Sequence, residues 1–529
     1  MKANSSQWMM AQTPDGTGKA PVVITKEATS VTSGVAVTQK LVSAAIAFGN
    51  VLRGTFGPNG LDKMLYKTSG ETSVTNDGAK IVAELLVKHP AAKAFVSLAE
   101  SQENACGDGV TGCIILASEL MSEAGRLLER GIHPLVVVKG YEMALEKTLK
   151  VIDSRTVSAS GKLEDVARTS LVGRSTEGAL DHLAALIATS VMQLPDSDYE
   201  KVRMIKDGQG TISDSRIVNG IIIEKRIALD RIPRHLSNIE IAVLSCPVEL
   251  EKTTRDAEIE ISTPDQLEAF IDAEDLALKS KAMKIIDSGV GAIFSAEKID
   301  ERVTHILADN GIYSLGNLEK STAEDLAITS NASLCDHLDD IASSTGHIEK
   351  LVHERLEGNE GLTERLILDA GKNCGIVTIL VGGTDGVAAA ETIRGLFDSL
   401  RSTCIAKEDD SVILGGGSLH MSASLSVRQE AEKCSGRERL SMEAFARALE
   451  AVPAALATNT GGDRIDSLLQ LRSMHHSGKN TSGISHSGDP SEISGVWIPT
   501  YTLEHAISAA CETATGLLRV DQVISARGD

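Results

Sequence analysis

GDGVTG at residues 107–112 is the stretch on which the interpretation of this sequence depends, because it stands directly before a long predicted helix. Apolar residues recur from Ile114 to Leu128 at helical spacing, and Gly131 suits the end of that helix. Glycines at a helix start let the backbone approach a phosphate, which the helix dipole also favours. Asp108 would repel a phosphate unless Mg²⁺ bridges the two groups. Taken alone, the stretch fits an ordinary turn better than a phosphate site.

The helix after GDGVTG belongs to one of two helical regions, one near each end of the chain. Apolar residues recur every three or four positions in both regions, and clusters of glycine and proline interrupt the pattern. A polar loop rich in serine and glycine is expected at residues 477–494. The predicted helices cover residues 38–56, 110–130, 134–154, 418–471 and 503–518.

The middle of the chain has a different pattern, in which short apolar runs alternate with helices as in α/β layering. Buried strands are predicted within 239–250, at 289–295 and at 375–381. A helix should begin after Thr263, which suits an N-cap, and run to about residue 286. Its apolar residues are expected to pack within the chain, with lid or substrate contacts as the alternatives. They are Leu267, Phe270, Ile271, Leu276, Met283 and Ile286.

The composition argues against several classes of protein. The chain has 52 basic and 73 acidic residues, a formal net charge of −21, which disfavours binding to nucleic acids or anionic membranes. Eight cysteines without a C-x-x-C pair indicate reduced thiols in a cytoplasm. No apolar run approaches the roughly 18–20 residues of a membrane span.

Three histidines, His475, His476 and His486, cluster in or beside the predicted polar loop. A metal site would require a further ligand and a rigid frame around these side chains. An exposed loop is therefore the expectation for all three.

Five further motifs accompany GDGVTG, and each is weak alone because such residues are common in turns. They are GPNGLDKML at 57–65, NDGAKI at 76–81, GGT at 382–384, GLFDSL at 395–400 and GGG at 415–417. The order of these motifs resembles that in the group II chaperonins. This family includes the archaeal thermosome and the eukaryotic cytosolic TCP-1 proteins. Segments outside these motifs, such as CPVELEKT at 246–253, share the resemblance, which spans about residues 20–525.

The resemblance implies a multidomain fold. A mostly α-helical equatorial domain would be formed by both chain ends, beside a small α/β intermediate domain and an α/β apical domain with a helical protrusion that serves as a lid. The expected boundaries are a disordered arm at 1–19, equatorial parts at 20–160 and 410–529, intermediate parts at 161–218 and 377–409, and an apical domain at 219–376.

The resemblance also implies a site that hydrolyses ATP with Mg²⁺. Asp108 would hold the metal against the phosphates, Asp398 would be the general base for the attacking water, and Asp77 would be a second carboxylate near it. Arg174 stands where the family has a lysine in its nucleotide-sensing loop. The other nucleotide-binding residues would be Thr55, Phe56, Gly57 and Pro58 in the wall, Gly107, Gly109 and Thr111 in the phosphate loop, and Gly416 at the sugar or base.

Several positions depart from the family pattern at this site. Val110 and Gly112 replace two hydroxyl residues of the phosphate loop, Lys80 replaces a threonine, and Ile498 replaces an acid expected to face the nucleoside. The three carboxylates are retained. We therefore interpret the chain as a divergent, archaeal paralogue that keeps ATP binding and whose hydrolysis the lost groups would slow.

The expected function is ATP-driven folding of unfolded client proteins inside a stacked double ring in the cytoplasm. Other chaperonin subunits, identical or different, would be its partners, and neither nucleic acid nor membrane is expected to bind. The alternative is a ring subunit with weak ATPase activity that acts structurally or as a holdase. An unrelated ATP-dependent enzyme is remote, because the resemblance covers nearly the whole chain.

Overall fold

The computed structural model describes residues 30–33, 35–66, 72–85, 90–174, 177–226, 231–250, 263–358, 361–372, 374–383 and 387–525. Three features of the sequence lie outside these described residues. They are the predicted arm at 1–19, the segment 251–262 before the helix predicted to begin after Thr263, and Thr384 of the GGT motif.

The first part of the chain is mainly helical. Its elements are β1 (Ser30–Ser33), α1 (Val35–Arg53), β2 (Lys63–Tyr66), β3 (Thr72–Thr75), α2 (Gly78–Glu84), α3 (Pro90–Cys106), α4 (Val110–Glu129) and α5 (Pro134–Arg155). Strands β2 and β3 form an antiparallel hairpin between α1 and α2.

The middle of the chain mixes helices with strands. Its elements are α6 (Leu163–Leu171), α7 (Leu180–Gln193), β4 (Val202–Lys206), β5 (Arg216–Val218), β6 (Gly220–Glu224), β7 (His235–Leu244), α8 (Pro264–Asp287), β8 (Ala292–Ser295), α9 (Glu301–Asp309), β9 (Tyr313–Leu315), α10 (Lys320–Ser330), β10 (Leu334–Cys335), β11 (Gly346–Gly358), β12 (Gly361–Asp369), β13 (Val377–Val381) and α11 (Val387–Glu408).

The last part of the chain returns to helices with three pairs of short strands. Its elements are β14 (Val412–Leu414), α12 (Ser418–Glu432), α13 (Glu438–Leu449), α14 (Ala451–Asn459), α15 (Arg464–His476), β15 (Ser482–Ile484), β16 (Pro490–Glu492), β17 (Trp497–Pro499), α16 (Thr500–Leu518) and β18 (Gln522–Ser525). Strand β14 pairs with β17, β15 pairs with β16, and β18 pairs with β1 from the other end of the chain.

One hydrophobic core joins the helices from both ends of the chain. Buried residues of α1, α3, α4 and α5 pack there against those of α12, α13 and α16. Tyr141 of α5 shows how closely the two ends fit. Its hydroxyl donates to the carbonyl of Leu120 at 2.8 Å, and its ring meets Phe445 edge-on with centroids 5.6 Å apart. Such aromatic pairs add to the free energy of burial.

Two sheets organise the middle of the chain. The larger sheet has the strand order β6-β12-β11-β7-β8-β9, and β10 also pairs with β7. Its strands β7, β8 and β9 run parallel and have helices on both faces, which explains the apolar run at the end of β7 and the burial of β8 and β9. The smaller sheet, β4-β13-β5, packs with α6, α7 and α11 around a core of its own.

Within the described residues, no helix is both long and apolar enough to cross a bilayer.

The predicted multidomain mixture of helices and sheets is confirmed at this level, and most predicted elements are present. Three details were wrong. The first helix ends at Arg53, since residues 54–59 form turns that include a left-handed Gly57. Strand β7 has ten residues and is not short. The polar loop at 477–494 contains the hairpin of β15 and β16.

The expectation that the apolar residues of α8 pack within the chain is wrong for five of them. Their exposed fractions lie between 39% and 70%. The residues of α8 that do enter a core, Leu278, Ala282 and Ile285, lie in its second half, which packs beside β7 and β8. In the first half, residues 263–273 are all exposed. The five exposed residues are Leu267, Phe270, Ile271, Leu276 and Met283.

Because residues 263–273 are exposed in the part of the chain that the structure describes, the order of this first half should depend strongly on its N-cap. The Thr263 hydroxyl accepts a hydrogen bond from the backbone amide of Gln266 at 3.3 Å. Replacing an N-cap Thr by Ala costs about 1 kcal/mol, so Thr263→Ala should speed amide hydrogen exchange in the first turn of α8 about five-fold. Thr263→Ser keeps the hydroxyl and should leave exchange nearly unchanged. Equal exchange in all three proteins would contradict the prediction.

Candidate functional site

A cavity of about 840 Å³ lies between the helical core and the elements α6 and α11. The structure brings every residue predicted for the site to the lining of this one cavity. These residues are Thr55, Phe56, Gly57, Pro58, Asp77, Gly107, Asp108, Gly109, Thr111, Arg174, Asp398 and Gly416. Because they come from positions more than 300 residues apart, only the packing of the helices can bring them together.

The GDG segment forms a tight turn before α4. Gly107 and Gly109 have φ angles of +67° and +82°, which favour glycine. The Asp108 Oδ1 atom accepts a hydrogen bond from the Gly109 amide at 2.6 Å. The first backbone bond at the helix start joins the Cys113 amide to the Gly109 carbonyl at 3.0 Å, so the amides of residues 110–112 have no partner within the helix. The segment is therefore a turn that also presents donors to the cavity.

The other oxygen of Asp108 is held by a residue that the sequence analysis missed. Its Oδ2 atom accepts a hydrogen bond from the Ser170 hydroxyl of α6 at 2.8 Å. The backbone of Asp108 is fixed as well, since the side-chain amide of the buried Gln102 donates to the Asp108 carbonyl at 2.9 Å. No local pattern distinguishes Ser170 from other helical serines, because its partner lies 62 residues away.

Asp77 serves as the N-cap of α2. Its Oδ1 atom accepts a hydrogen bond from the Ala79 amide at 2.9 Å. A Cβ atom on Gly78 would lie only 2.4 Å from the Thr111 hydroxyl, so glycine is required for α2 to rest on the start of α4. The NDG motif and the GDGVTG stretch therefore touch each other in the lining of the cavity.

The wall at residues 55–58 is fixed by contacts with α1 and α14. The buried Thr55 hydroxyl donates to the Leu52 carbonyl at 2.8 Å. The side-chain amide of Asn459 in α14 donates to the backbone carbonyls of Arg53 and Phe56 at 2.8 and 2.7 Å. A Cβ atom on Gly57 would lie 2.3 Å from the Leu456 side chain. The later helices of the chain thus hold this wall in place.

Asp398 of α11 and Arg174 form an ion pair at the cavity. The Arg174 Nη1 atom lies 2.6 Å from the Asp398 Oδ2 atom, and the two side chains are 12% and 8% exposed. Burial raises the pKa of Asp398 to about 8, with added contributions from the charges of Asp77, Glu103 and Asp108, although the Arg174 charge opposes the rise. Burial would lower the pKa of Arg174, but its carboxylate neighbours raise it above the ordinary value.

Two further charged residues and one histidine of this region escaped the sequence analysis. Glu103 of α3 has a pKa raised by burial and by the Asp77 charge, and Arg401 lies 3.9 Å from it. Arg401 is three residues after Asp398 on α11, a helical spacing that could have suggested it. His420 lines the cavity, and burial lowers its pKa to about 4, so it is neutral near pH 7.

Isoleucine side chains lie against the glycine triplet in the lining of the cavity. A Cβ atom on Gly416 would lie 2.2 Å from the Ile493 Cδ1 atom, and one on Gly415 would lie 3.0 Å from the Ile498 Cδ1 atom. Ile498 belongs to β17, where it pairs with Ile413 of β14. Isoleucine therefore covers part of the surface that was predicted to receive the sugar or base.

The expectation of an exposed loop is wrong for His475. This residue is buried at the end of α15, and its Nε2 atom lies 2.8 Å from the Ser482 carbonyl. Burial lowers its pKa. Across the described ranges, no group of three or more His, Cys, Asp or Glu side chains could by itself hold a metal ion.

The residues at the GDG turn nevertheless fit a metal that a ligand helps to hold. Mg²⁺ is commonly bound by one or two carboxylates together with phosphate oxygens and water, and does not need a cage of protein ligands. Asp108 offers the carboxylate, and the amides of residues 110–112, which have no partner within α4, suit a phosphate. The cavity volume lies within the roughly 300–1,000 Å³ range of small-molecule sites.

Comparisons with known proteins agree on one family. The profile of the TCP-1/cpn60 chaperonin family matches residues 48–528. Thermosome subunit alpha of Archaeoglobus fulgidus is 36% identical over 96% of this chain and 95% of its own length. The thermosome subunit of Methanopyrus kandleri is 36% identical over 92% and 91%. Thermosome subunit alpha of Thermoplasma acidophilum is 33% identical over 97% and 95%.

Proposed function

Because this chain belongs to the TCP-1/cpn60 chaperonin family, we propose that it is a chaperonin subunit that binds and hydrolyses ATP to fold other proteins. It would assemble with identical or related subunits into a stacked double ring that encloses unfolded client proteins. The cytoplasm would be its place of action, in keeping with eight cysteines that are all free thiols.

The observation that carries the proposal is the meeting of three carboxylates at one cavity. Asp77, Asp108 and Asp398 come from three separate segments, yet all line it beside the unpaired amides at the start of α4. A chain that kept only the fold would have no need to keep this set of acids around a phosphate-sized turn. Charge burial is costly, which also argues for a functional use.

Each of these side chains has a role in the proposed reaction. Asp108, oriented by Ser170, would hold Mg²⁺, which when bound supplies positive charge to the phosphates. Asp398 would accept a proton from water as the water oxygen bonds to the γ-phosphorus and the bond to ADP breaks. Asp77, fixed by its cap to α2, would orient the same water.

We also propose the domain division expected above. The core shared by both chain ends supports an equatorial domain at 20–160 and 410–529. The core around the smaller sheet supports an intermediate domain at 161–218 and 377–409, and the larger sheet supports an apical domain at 219–376. In this division Asp398 reaches the equatorial cavity from the intermediate domain, which would couple hydrolysis to domain closure.

A ring subunit with weak ATPase activity is the second candidate. It is favoured by Val110 and Gly112, which lack hydroxyls at the phosphate turn, and by the apolar contact of Ile498 with the glycine triplet. A lost hydrogen bond costs about 0.5–1.5 kcal/mol, and more when the partner is charged. Such losses would weaken the grip on the nucleotide and leave the carboxylates in place.

Ring formation and Mg-ATP turnover of the purified chain, measured together, separate the two candidates. The main proposal expects rings with turnover, and Asp398→Asn should reduce turnover by about 10²–10⁴-fold while rings still form. Rings without turnover, alone or mixed with a related subunit, would favour the structural or holding role. A monomer that hydrolyses ATP only with a small acceptor would exclude both.

The raised pKa of Asp398 makes a prediction about pH. A general base must be unprotonated to act, and burial raises the pKa of this carboxyl to about 8, so protonation removes the base as the pH falls below that value. The kcat/KM for ATP, which reflects the free enzyme, should therefore rise with pH and reach half of its plateau near pH 8. The residual activity of Asp398→Asn should lack this step. A flat profile for the wild-type chain between about pH 6.5 and 9 would contradict the assignment.

Replacing Ile498 tests the apolar end of the cavity. If this side chain faces the nucleoside, Ile498→Glu should tighten ATP binding about ten-fold, because a carboxylate can accept hydrogen bonds there. Calorimetric titration with Mg²⁺ and a non-hydrolysable ATP analogue measures the change, and Ile498→Met serves as the apolar control. Unchanged affinity of the Glu variant would show that Ile498 does not face the ligand.

A further inference from the structure

We infer that Arg174 is a positioning residue for Asp398, and that its guanidinium engages this carboxylate and not the nucleotide phosphates in the reactive state. The inference rests on the proposed ATPase function and deepens it. It differs from the expectation above, in which Arg174 contacts the nucleotide.

The ion pair leaves one oxygen of Asp398 available for proton transfer. Arg174 Nη1 donates to Oδ2 at 2.6 Å, and Oδ1 accepts no hydrogen bond from any described residue. A single donor on one oxygen fixes the plane of the carboxylate. The second oxygen can then face a water molecule in the cavity that Asp398 lines.

The Arg174 side chain is seated against α11, the helix that carries Asp398. A Cβ atom on Gly395 would lie 3.0 Å from the Arg174 Cδ atom and 3.3 Å from its Nη1 atom. Gly395 is three residues before Asp398, so both contacts of the arginine fall on one face of the helix. The missing side chain at Gly395 provides the space in which the guanidinium lies.

The backbone next to Arg174 is fixed from the opposite side. The side-chain amide of Asn76 donates to the Gly173 carbonyl at 2.5 Å. Gly173 has a φ angle of +81°, and a Cβ atom there would lie 2.8 Å from the Gly57 carbonyl oxygen. The segment is thus held between the cavity wall and the neighbour of Asp77. An anchored backbone and a seated side chain together restrict where the guanidinium can reach.

The charges around Asp398 require a cation at this place. Its carboxylate faces the charges of Asp77 from α2, Glu103 from α3 and Asp108 from the turn before α4. Arg401 on its own helix is directed to Glu103 and to the Asn104 carbonyl, at 3.9 and 2.9 Å. Among the described residues, Arg174 is therefore the cation that bonds to Asp398. Without it, a buried carboxyl among three others would bind a proton more tightly and could not act as a base.

A double-mutant cycle tests the inference through two separate measurements on the assembled chain. Turnover at saturating Mg-ATP should fall at least ten-fold in Arg174→Met, and the double variant Arg174→Met with Asp398→Asn should be no slower than Asp398→Asn alone. Calorimetric affinity for Mg²⁺ with a non-hydrolysable ATP analogue should change less than three-fold in Arg174→Met. Arg174→Lys, which restores the charge, should recover part of the turnover.

Two further variants protect the test against simple misfolding. Gly395→Ala adds one methyl group beside the guanidinium and removes no charge, and it should lower turnover in the same direction as Arg174→Met. Arg394→Met removes another guanidinium, one on α11 that pairs with Glu391 and not with Asp398. This variant should leave turnover unchanged. Ring formation by each variant confirms that it is folded.

Affinity decides the matter even if the wild-type chain proves inactive. An affinity that falls ten-fold or more in Arg174→Met, also in the Asp398→Asn background, would overturn the inference and make Arg174 a phosphate ligand. Turnover losses that multiply in the double variant would overturn it as well. Absent turnover with tight nucleotide binding in the wild type would defeat the proposed hydrolysis, while an affinity unchanged by Arg174→Met would still exclude a phosphate contact.

Discussion

The packing of α4 between helices from opposite ends of the chain is the constraint on which the cavity depends. This helix packs against α1 on one side and α16 on another, within a core that also takes in α13. Its first turn is fixed by the buried Gln102, whose amide bridges the carbonyls of Asp108 and Thr502. Because α4 cannot shift without opening this core, the amides at its start keep their direction. The GDG turn therefore depends on contacts made hundreds of residues away.

The cavity lies between this helical core and the elements around the smaller sheet, which have a core of their own. Asp398 and Arg174 belong to elements around the smaller sheet, whereas Asp77 and Asp108 belong to the helical core. Their carboxylates repel one another in a region where burial already disfavours charge. The arginine offsets part of that repulsion. A structure that brings these groups together at one cavity needs a ligand or an ion pair to stabilise it, and this balance makes the site sensitive to whatever occupies it.

The local patterns of the sequence were sufficient for the elements and insufficient for the contacts. The cap at Thr263, the helical repeat after GDGVTG and the glycine at 131 depend on neighbours in the chain, so they predicted α8 and α4 closely. The exposed face of α8 could not be predicted, since an apolar helix residue looks the same whether or not a partner is present. Ser170 and Glu103 escaped for the same reason, because their role comes only from partners distant in the chain.

By itself, the sequence determined the family, the mixture of helices and sheets, and the identity of the acids, because ordered motifs and helical spacing are properties of the chain. Tertiary structure alone decided that twelve predicted residues line one cavity, that isoleucine covers the glycine triplet, and that Arg174 bonds to Asp398. Side-chain partners separated by more than 200 residues leave no periodic signal. Only the packing of a common core determines which of the many possible pairs come within 3 Å.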